Sequence, residues 1–247
     1  AIEWIIITGM IVGSLPFAHY LAMVRGGWRS WLNDPQVRGF LILAVGLVLL
    51  LIWHLMQTGL GFGEALRQAS FNGVSIMTGT GYVSANFSAW GGFATTILLI
   101  VMFIGGCGGS TTCGIKVFRL QVLASTAKVQ ISRLLRPHAV VLAYYNKRPV
   151  SVEVMDSVMG FFYLFILGFV LIAIMLGIAG LDFVTALSGA ATSISNVGPG
   201  LGEVIGADGN FSTLPDSAKW IMTFAMLLGR LEIFTVLVML NPAFWQR

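Results

Sequence analysis

Charge is what this chain has least of. Charged residues make up 10% of its 247 positions and hydrophobic residues 57%, where a soluble globular domain carries roughly 25% charged. The polar stretches are too short to enclose a soluble core, so no soluble domain is expected. Cysteine is scarce as well. Cys107 and Cys113 share one glycine-rich stretch, which supplies neither a disulfide framework nor zinc-ligand spacing. No His/Asp/Ser cluster or metal-ligand pattern falls within the apolar runs, so an enzyme is not expected, and His54 and His138 read as interfacial or structural. The first twenty residues lack a basic leader and a cleavage site, which argues against a secretory signal. An opening without Met, inside an apolar run, reads as part of a longer protein.

Long apolar runs are what the chain does have. A bilayer core of roughly 30 Å takes about 20 residues of apolar helix. Five segments meet or approach that length: 1–24, 39–58, 91–115, 152–178 and 218–240. Two shorter stretches, 64–77 and 182–194, are too short and too polar to cross, and each is followed by a Gly-containing break. They are expected to enter the membrane part-way and return as loop. Basic residues set the orientation. Arg25, Arg29 and Arg38 follow the first span, and Lys116, Arg119, Lys128, Arg133, Arg136, Lys147 and Arg148 fill 116–148 without one acid. With Arg247 these are eleven of the fourteen basic residues, while Glu64, Asp182, Glu203, Asp208 and Asp216 occupy the opposite loops. The basic face is therefore expected in the cytoplasm, and topology explains it without nucleic-acid binding. Residues 115–135 read as a basic amphipathic helix extending the third span. Trp28, Trp31, Trp53, Trp90, Trp220 and Trp245 lie mostly near span ends, where interfacial anchors belong.

The chain also repeats itself. Laying Gly81 over Gly198 without gaps places SIMTGTGYV on TSISNVGPG and Gly63 on Gly180. Around both, the order is span, short helix, Gly-containing loop, span, preceded by the last span of a third copy. A short helix aimed C-terminus first at the membrane centre favours a cation there. Gly81 and Gly198 permit backbone angles that other residues resist, so the loops can turn carbonyls to a common axis, as potassium filters do. Non-helical backbone is tolerated at that depth where it lines an ion or water path. The expected fold is an all-α integral membrane protein of repeated span–pore helix–filter loop–span units of the potassium-channel type.

SIMTGTGYVSANFSAWGG, GGCGGSTTCGIKVFR, SNVGPGLGEV and LLGRLEIFTVLVMLNPAFW, in that order, resemble the TrkH-like membrane subunit of Trk/Ktr potassium uptake systems. The resemblance runs from GSLPFAHYL to the last residues. It implies four repeats around one pore, with repeats 1 and 2 of the same transporter completing what this chain supplies. Residues 1–37 would be the last span of a preceding repeat and a cytoplasmic linker. Residues 38–148 would be the third repeat, with a broken second span and a basic cytoplasmic extension, and 149–247 the fourth. Potassium is implied as substrate, with no covalently bound cofactor. A homodimer in a bacterial inner membrane and a cytoplasmic nucleotide-binding regulatory subunit are implied as its setting. The third filter segment is then Thr78, Gly79, Thr80 and Gly81, and the fourth Ser195, Asn196, Val197 and Gly198. Neither carries the full TVGYG of potassium channels, which keeps a less selective sodium/potassium transporter open. An ion-coupled secondary transporter built on repeats is the other alternative, although both copies here run in the same topology.

Gly105, Gly106, Gly108, Gly109, Ser110, Thr111, Thr112 and Gly114 have phosphate-loop glycine spacing, but Ile115 stands where the loop's Lys belongs and no strand precedes it. Small residues that let helices approach closely give a second reading. The resemblance implies a third, an intramembrane loop gating the pore beneath the filter. Arg230 falls inside the last expected span, where a central Arg costs roughly 2.5–3.5 kcal/mol and must face a cavity or a partner. Glu232 lies nearly opposite it on a continuous helix and makes a poor partner. The resemblance puts Arg230 in the pore, as a positive barrier below the filter.

Overall fold

The computed structural model describes residues 1–24, 33–136 and 141–245. Arg25, Trp28, Arg29, Trp31, His138 and Arg247 lie outside the described residues.

Among the described residues, two helices are long and apolar enough to cross a membrane unbroken, α3 (Pro35–Gln57) and α7 (Val152–Ile178). They occupy the expected spans 39–58 and 152–178. Asp34 starts α3 by accepting the Gln36 N–H at 2.7 Å, and Pro35 follows at the first helical position, where a missing N–H costs nothing. On α3, Phe40, Ala44, Leu47, Leu51 and Leu55 turn inward, while Ile42, Val45, Leu49 and Trp53 are exposed. On α7, Phe161, Phe165, Ile172 and Leu176 are buried and Tyr163, Ile166, Val170 and Ile174 exposed. A helix apolar on its outer face belongs against lipid.

Each long helix is followed by a short one, α4 (Phe62–Met77) after α3 and α8 (Phe183–Ser195) after α7. α4 packs on α1 (Ile2–Gly13) and α3, and α8 packs on α7 and α9 (Asp216–Arg230). Both are largely buried beyond the first turn, including the polar Asn72, Ser75, Ser188 and Thr192. The repeat is visible here, with one correction. Each long helix closes on a left-handed glycine, Gly59 and Gly180, both at φ 93°. Gly180 therefore matches Gly59 and not Gly63. α4 has 16 residues and α8 has 13, so a gapless alignment holds only at the loop end.

The other three expected spans are interrupted. The first, 1–24, is α1 and α2 (Phe17–Val24), bent by 95° where Pro16 has no N–H to continue the ladder. The third, 91–115, is helical only over α5 (Gly92–Met102). Beyond it the chain turns back on itself, with Ile104 bridged to Ile115, and a Cβ on Gly105 would stand 2.0 Å from the Cys113 carbonyl oxygen. The basic helix α6 (Val117–Leu135) forms as expected, but it is separated from α5 rather than extending it. The last expected span, 218–240, is α9 and α10 (Ile233–Leu240), bent by 102°. At that break Glu232 adopts φ 60°, a region rarely entered by residues with a side chain other than Asn or Asp. A short helix α11 (Pro242–Trp245) follows, and the described strands form one hairpin, β1 (Tyr144–Tyr145) with β2 (Arg148–Pro149).

Candidate functional site

α4 and α8 end in the same hydrogen-bond pattern. On α4, the Gly79 N–H donates to the Ile76 carbonyl at 3.2 Å and the Thr80 N–H to Ser75 at 3.0 Å. On α8, the Asn196 N–H donates to Ser193 at 3.2 Å and the Val197 N–H to Thr192 at 3.0 Å. This pair of bonds around a left-handed residue is a Schellman closure. Glycine fills the left-handed position in one copy (Gly79, φ 65°) and asparagine in the other (Asn196, φ 54°), the two residue types that enter that region most readily. Two residues on, Gly81 (φ 76°) and Gly198 (φ 115°) are left-handed again. The changes of hand break the in-and-out alternation of an extended strand, so neighbouring carbonyls can face one side.

The two loops lie side by side. A Cβ on Gly198 would be 3.5 Å from the Gly81 Cα, and one on Gly79 would be 3.5 Å from the Asn196 carbonyl oxygen. A Cβ on Gly81 would be 2.3 Å from the Val197 carbonyl oxygen. All eight expected filter residues, Thr78 to Gly81 and Ser195 to Gly198, thus belong to two adjacent turns. The Thr78 and Thr80 hydroxyls hydrogen-bond at 2.8 Å, and the Asn196 amide donates to the Met226 carbonyl on α9 at 3.1 Å. α9 comes that close because Gly229 has no side chain: a Cβ there would be 1.9 Å from the Ile194 carbonyl oxygen. No ionisable side chain stands in either turn. The polarity comes from backbone, hydroxyls, one amide, and two helix C-termini with their partial negative charge. Such a setting suits a cation held by carbonyls.

The 105–114 stretch contains no helix, as expected, and every part of it is docked. The Cys107 N–H donates to Ser14 O at 3.0 Å, the Thr111 N–H to Gly13 O at 3.3 Å, and the Phe17 N–H to Gly109 O at 3.0 Å. The Gly108 N–H donates to the Gln36 side-chain oxygen at 2.8 Å, and the Gly106 N–H to the Thr112 hydroxyl at 2.9 Å. The loop is thereby tied to the α1–α2 elbow and to the start of α3.

Arg230 does not sit in mid-helix. It is in the last turn of α9 at the break, and its guanidinium donates to Thr111 O at 3.3 Å and to the Cys113 sulfur at 2.9 Å. Glu232 is not its partner, for a different reason than helix geometry. Glu232 pairs with Arg119 of α6 at 3.0 Å, and Arg119 also lies 3.8 Å from the centre of the Phe161 ring. The Lys116 ammonium donates to the Thr112 carbonyl. Loop, α6 and α9–α10 together enclose a cavity of about 290 Å³ lined by Lys116, Arg119, Arg230 and Glu232. Sequence reading missed Arg119 and Glu232 as a pair, because their 113-residue separation leaves no local signal.

A family model described as TrkH, cation transport protein, matches residues 1–247. The Trk system potassium uptake protein TrkI of Halomonas elongata is 45% identical over 96% of this chain and 48% of its own. The Trk system potassium uptake protein TrkH of Vibrio parahaemolyticus is 37% identical over the whole of this chain and 51% of its own. The crystal structure of the potassium transporter TrkH from Vibrio parahaemolyticus superposes with a TM-score of 0.91 at 35% identity, covering 99% of this chain and 53% of that one. The chain spans about half the length of the curated relatives it matches. Its relatives are named as transporters, and the apolar helices and repeated short-helix units described above are those of an integral membrane protein. With the family model matched from end to end, the chain belongs to the TrkH family of cation transport proteins.

Proposed function

We propose that this chain forms part of a potassium uptake pathway in which the carbonyls of Thr78–Gly81 and Ser195–Gly198 replace water around the ion. One observation carries the reading: two equivalent turns, each on the C-terminus of a short helix, meet with Gly81 against Val197 and Gly198. Two further repeats of the same transporter would complete the ring. In this reading 105–114 is the gate, Arg230 is a positive barrier beside it, and the basic α6 faces the cytoplasm and a regulatory partner. Like charge in a narrow path of low dielectric repels a cation far more than it does in water, so Arg230 slows passage while it faces the path. The relatives named as potassium uptake proteins support potassium as the substrate. The test is flux of potassium, rubidium and sodium into liposomes carrying the complete transporter. Potassium and rubidium should pass well ahead of sodium; equal passage of all three removes the potassium assignment.

A further inference from the structure

Three buried polar side chains on the short helices have no part in the reading above. Asn72 on α4 is fully buried and holds the chain beyond its loop. Its amide nitrogen donates to the Ser84 hydroxyl at 3.2 Å, and its amide oxygen accepts the Ser84 backbone N–H at 3.0 Å. The amide nitrogen also donates to the Gln68 carbonyl at 2.9 Å, which fixes the side chain. On α8, the equally buried Ser188 grips Leu201, accepting its N–H at 3.0 Å and donating to its carbonyl at 3.2 Å. Ser84 stands three residues past Gly81 and Leu201 three past Gly198, so the gripped positions are equivalent.

The gripping positions are shifted by one residue. The position matching Asn72 is Gly189, where a Cβ would be in van der Waals contact with the Ile205 and Leu176 side chains at 3.4 Å. α8 then adds a second hold, the Thr192 hydroxyl accepting the Gly198 N–H at 3.0 Å. On α4 the matching Ser75 hydroxyl has no partner, and the Gly81 N–H reaches the Ser75 carbonyl at 3.4 Å instead.

We propose that Asn72, Ser188 and Thr192 are positioning residues for ion selection. Each ties the chain at or after a loop glycine back to the helix that carries the loop. This rests on the reading of the two loops as a filter. Carbonyls distinguish ions of equal charge and different radius only if they resist closing on the smaller ion. Each loop enters through a Schellman closure and leaves through a clamp, so narrowing it breaks hydrogen bonds to its own helix. None of the three residues is charged, and each acts on the geometry of the loop through its hydrogen bonds.

The test is the potassium/sodium permeability ratio of the complete transporter in liposomes, with elution profile and thermal midpoint recorded for every variant. Asn72→Ala, Ser188→Ala and Thr192→Val should lower the ratio several-fold by admitting sodium, with potassium flux kept. Thr192→Ser keeps the hydroxyl and should keep the parent ratio. Valine has the shape of threonine, so a packing role alone predicts no change in Thr192→Val. If Asn72→Ala fails to fold, the Thr192→Val and Thr192→Ser pair decides. An unchanged ratio in folded Thr192→Val, or an equal loss of all fluxes, overturns the proposal. Gly81→Ser separates the two levels. A changed ratio there with unchanged clamp variants removes the clamp alone, and no change in any variant removes the filter reading with it.

Discussion

The chain has two kinds of glycine-rich break, and they are held in opposite ways. The 78–81 and 195–198 turns are closed by carbonyls of their own short helices, Ser75, Ile76, Thr192 and Ser193. The 105–114 loop is held by groups far along the chain: Gly13, Ser14 and Phe17 at one elbow, Gln36 on α3, and Arg230 on α9. Local closure keeps its geometry when neighbouring helices move. Distant docking changes whenever any of those neighbours moves. In the proposed reading, the contrast separates a filter that stays fixed from a gate that responds.

The sharpest way to break the contrast is to remove the docked loop. Deleting Gly108–Thr112 takes away the contacts to Gln36 and Gly13 and the Thr111 contact to Arg230 at once and leaves both short-helix closures intact. Potassium flux into liposomes should rise strongly with the potassium/sodium ratio unchanged; flux that stays the same or falls in a folded deletion rules out gating. Gly81→Ser attacks the fixed part instead. A side chain at a left-handed position costs about 1–3 kcal/mol, and here it would meet the Val197 carbonyl. The permeability ratio should fall on the order of tenfold, the equivalent of about 1.4 kcal/mol, and an unchanged ratio would refute the filter assignment.

Arg230→Ala tests one link of the distant docking. It removes the donors to Thr111 and Cys113 together with a positive charge, so flux should rise a few-fold at unchanged selectivity. Reduced flux in a folded variant would make Arg230 a structural brace. The smallest effect is expected at Asp182, which caps α8 through the Val184 and Thr185 amides. The Thr185 side chain, together with those amides, holds its carboxyl below the ordinary value of 3.8. A lowered folded value means stability that is present at neutral pH and lost as pH falls through it. Asp182→Ala should therefore lower the thermal midpoint at pH 7, by the equivalent of about 0.5–1 kcal/mol for an exposed cap. The gap to the parent should close in acid; a gap that persists there means the carboxylate is not its source.

Periodicity and length made α3, α4, α7 and α8 legible, because an apolar run bounded by glycine has few other foldings in a membrane. The meeting of the two turns was legible from Gly81 and Gly198, although α4's extra residues hid the match of Gly59 with Gly180. The bends were not anticipated. Pro16 was a local signal outweighed by hydropathy, which counts apolar residues and is blind to a missing N–H. At Glu232 the sequence carries no signal, since its left-handed backbone coexists with a salt bridge to a residue on another helix. Asn72 and Ser188 lie in stretches read only as too polar to cross, and their partners Ser84 and Leu201 emerge only when the chain has turned back.

The elbow between α1 and α2 has a consequence of its own. In one straight helix the Phe17 N–H would donate to Gly13, and Ser14 would accept from the residue four further on. In this structure Gly13 accepts from Thr111, Ser14 accepts from Cys107, and Phe17 donates to Gly109. The same donors and acceptors serve either a continuous helix or the docked loop, never both. Undocking would strip the Cys107 and Thr111 N–H groups and the Gly109 carbonyl of these partners, and a straight helix would have to run through Pro16, so the elbow and the docked loop hold one another in place.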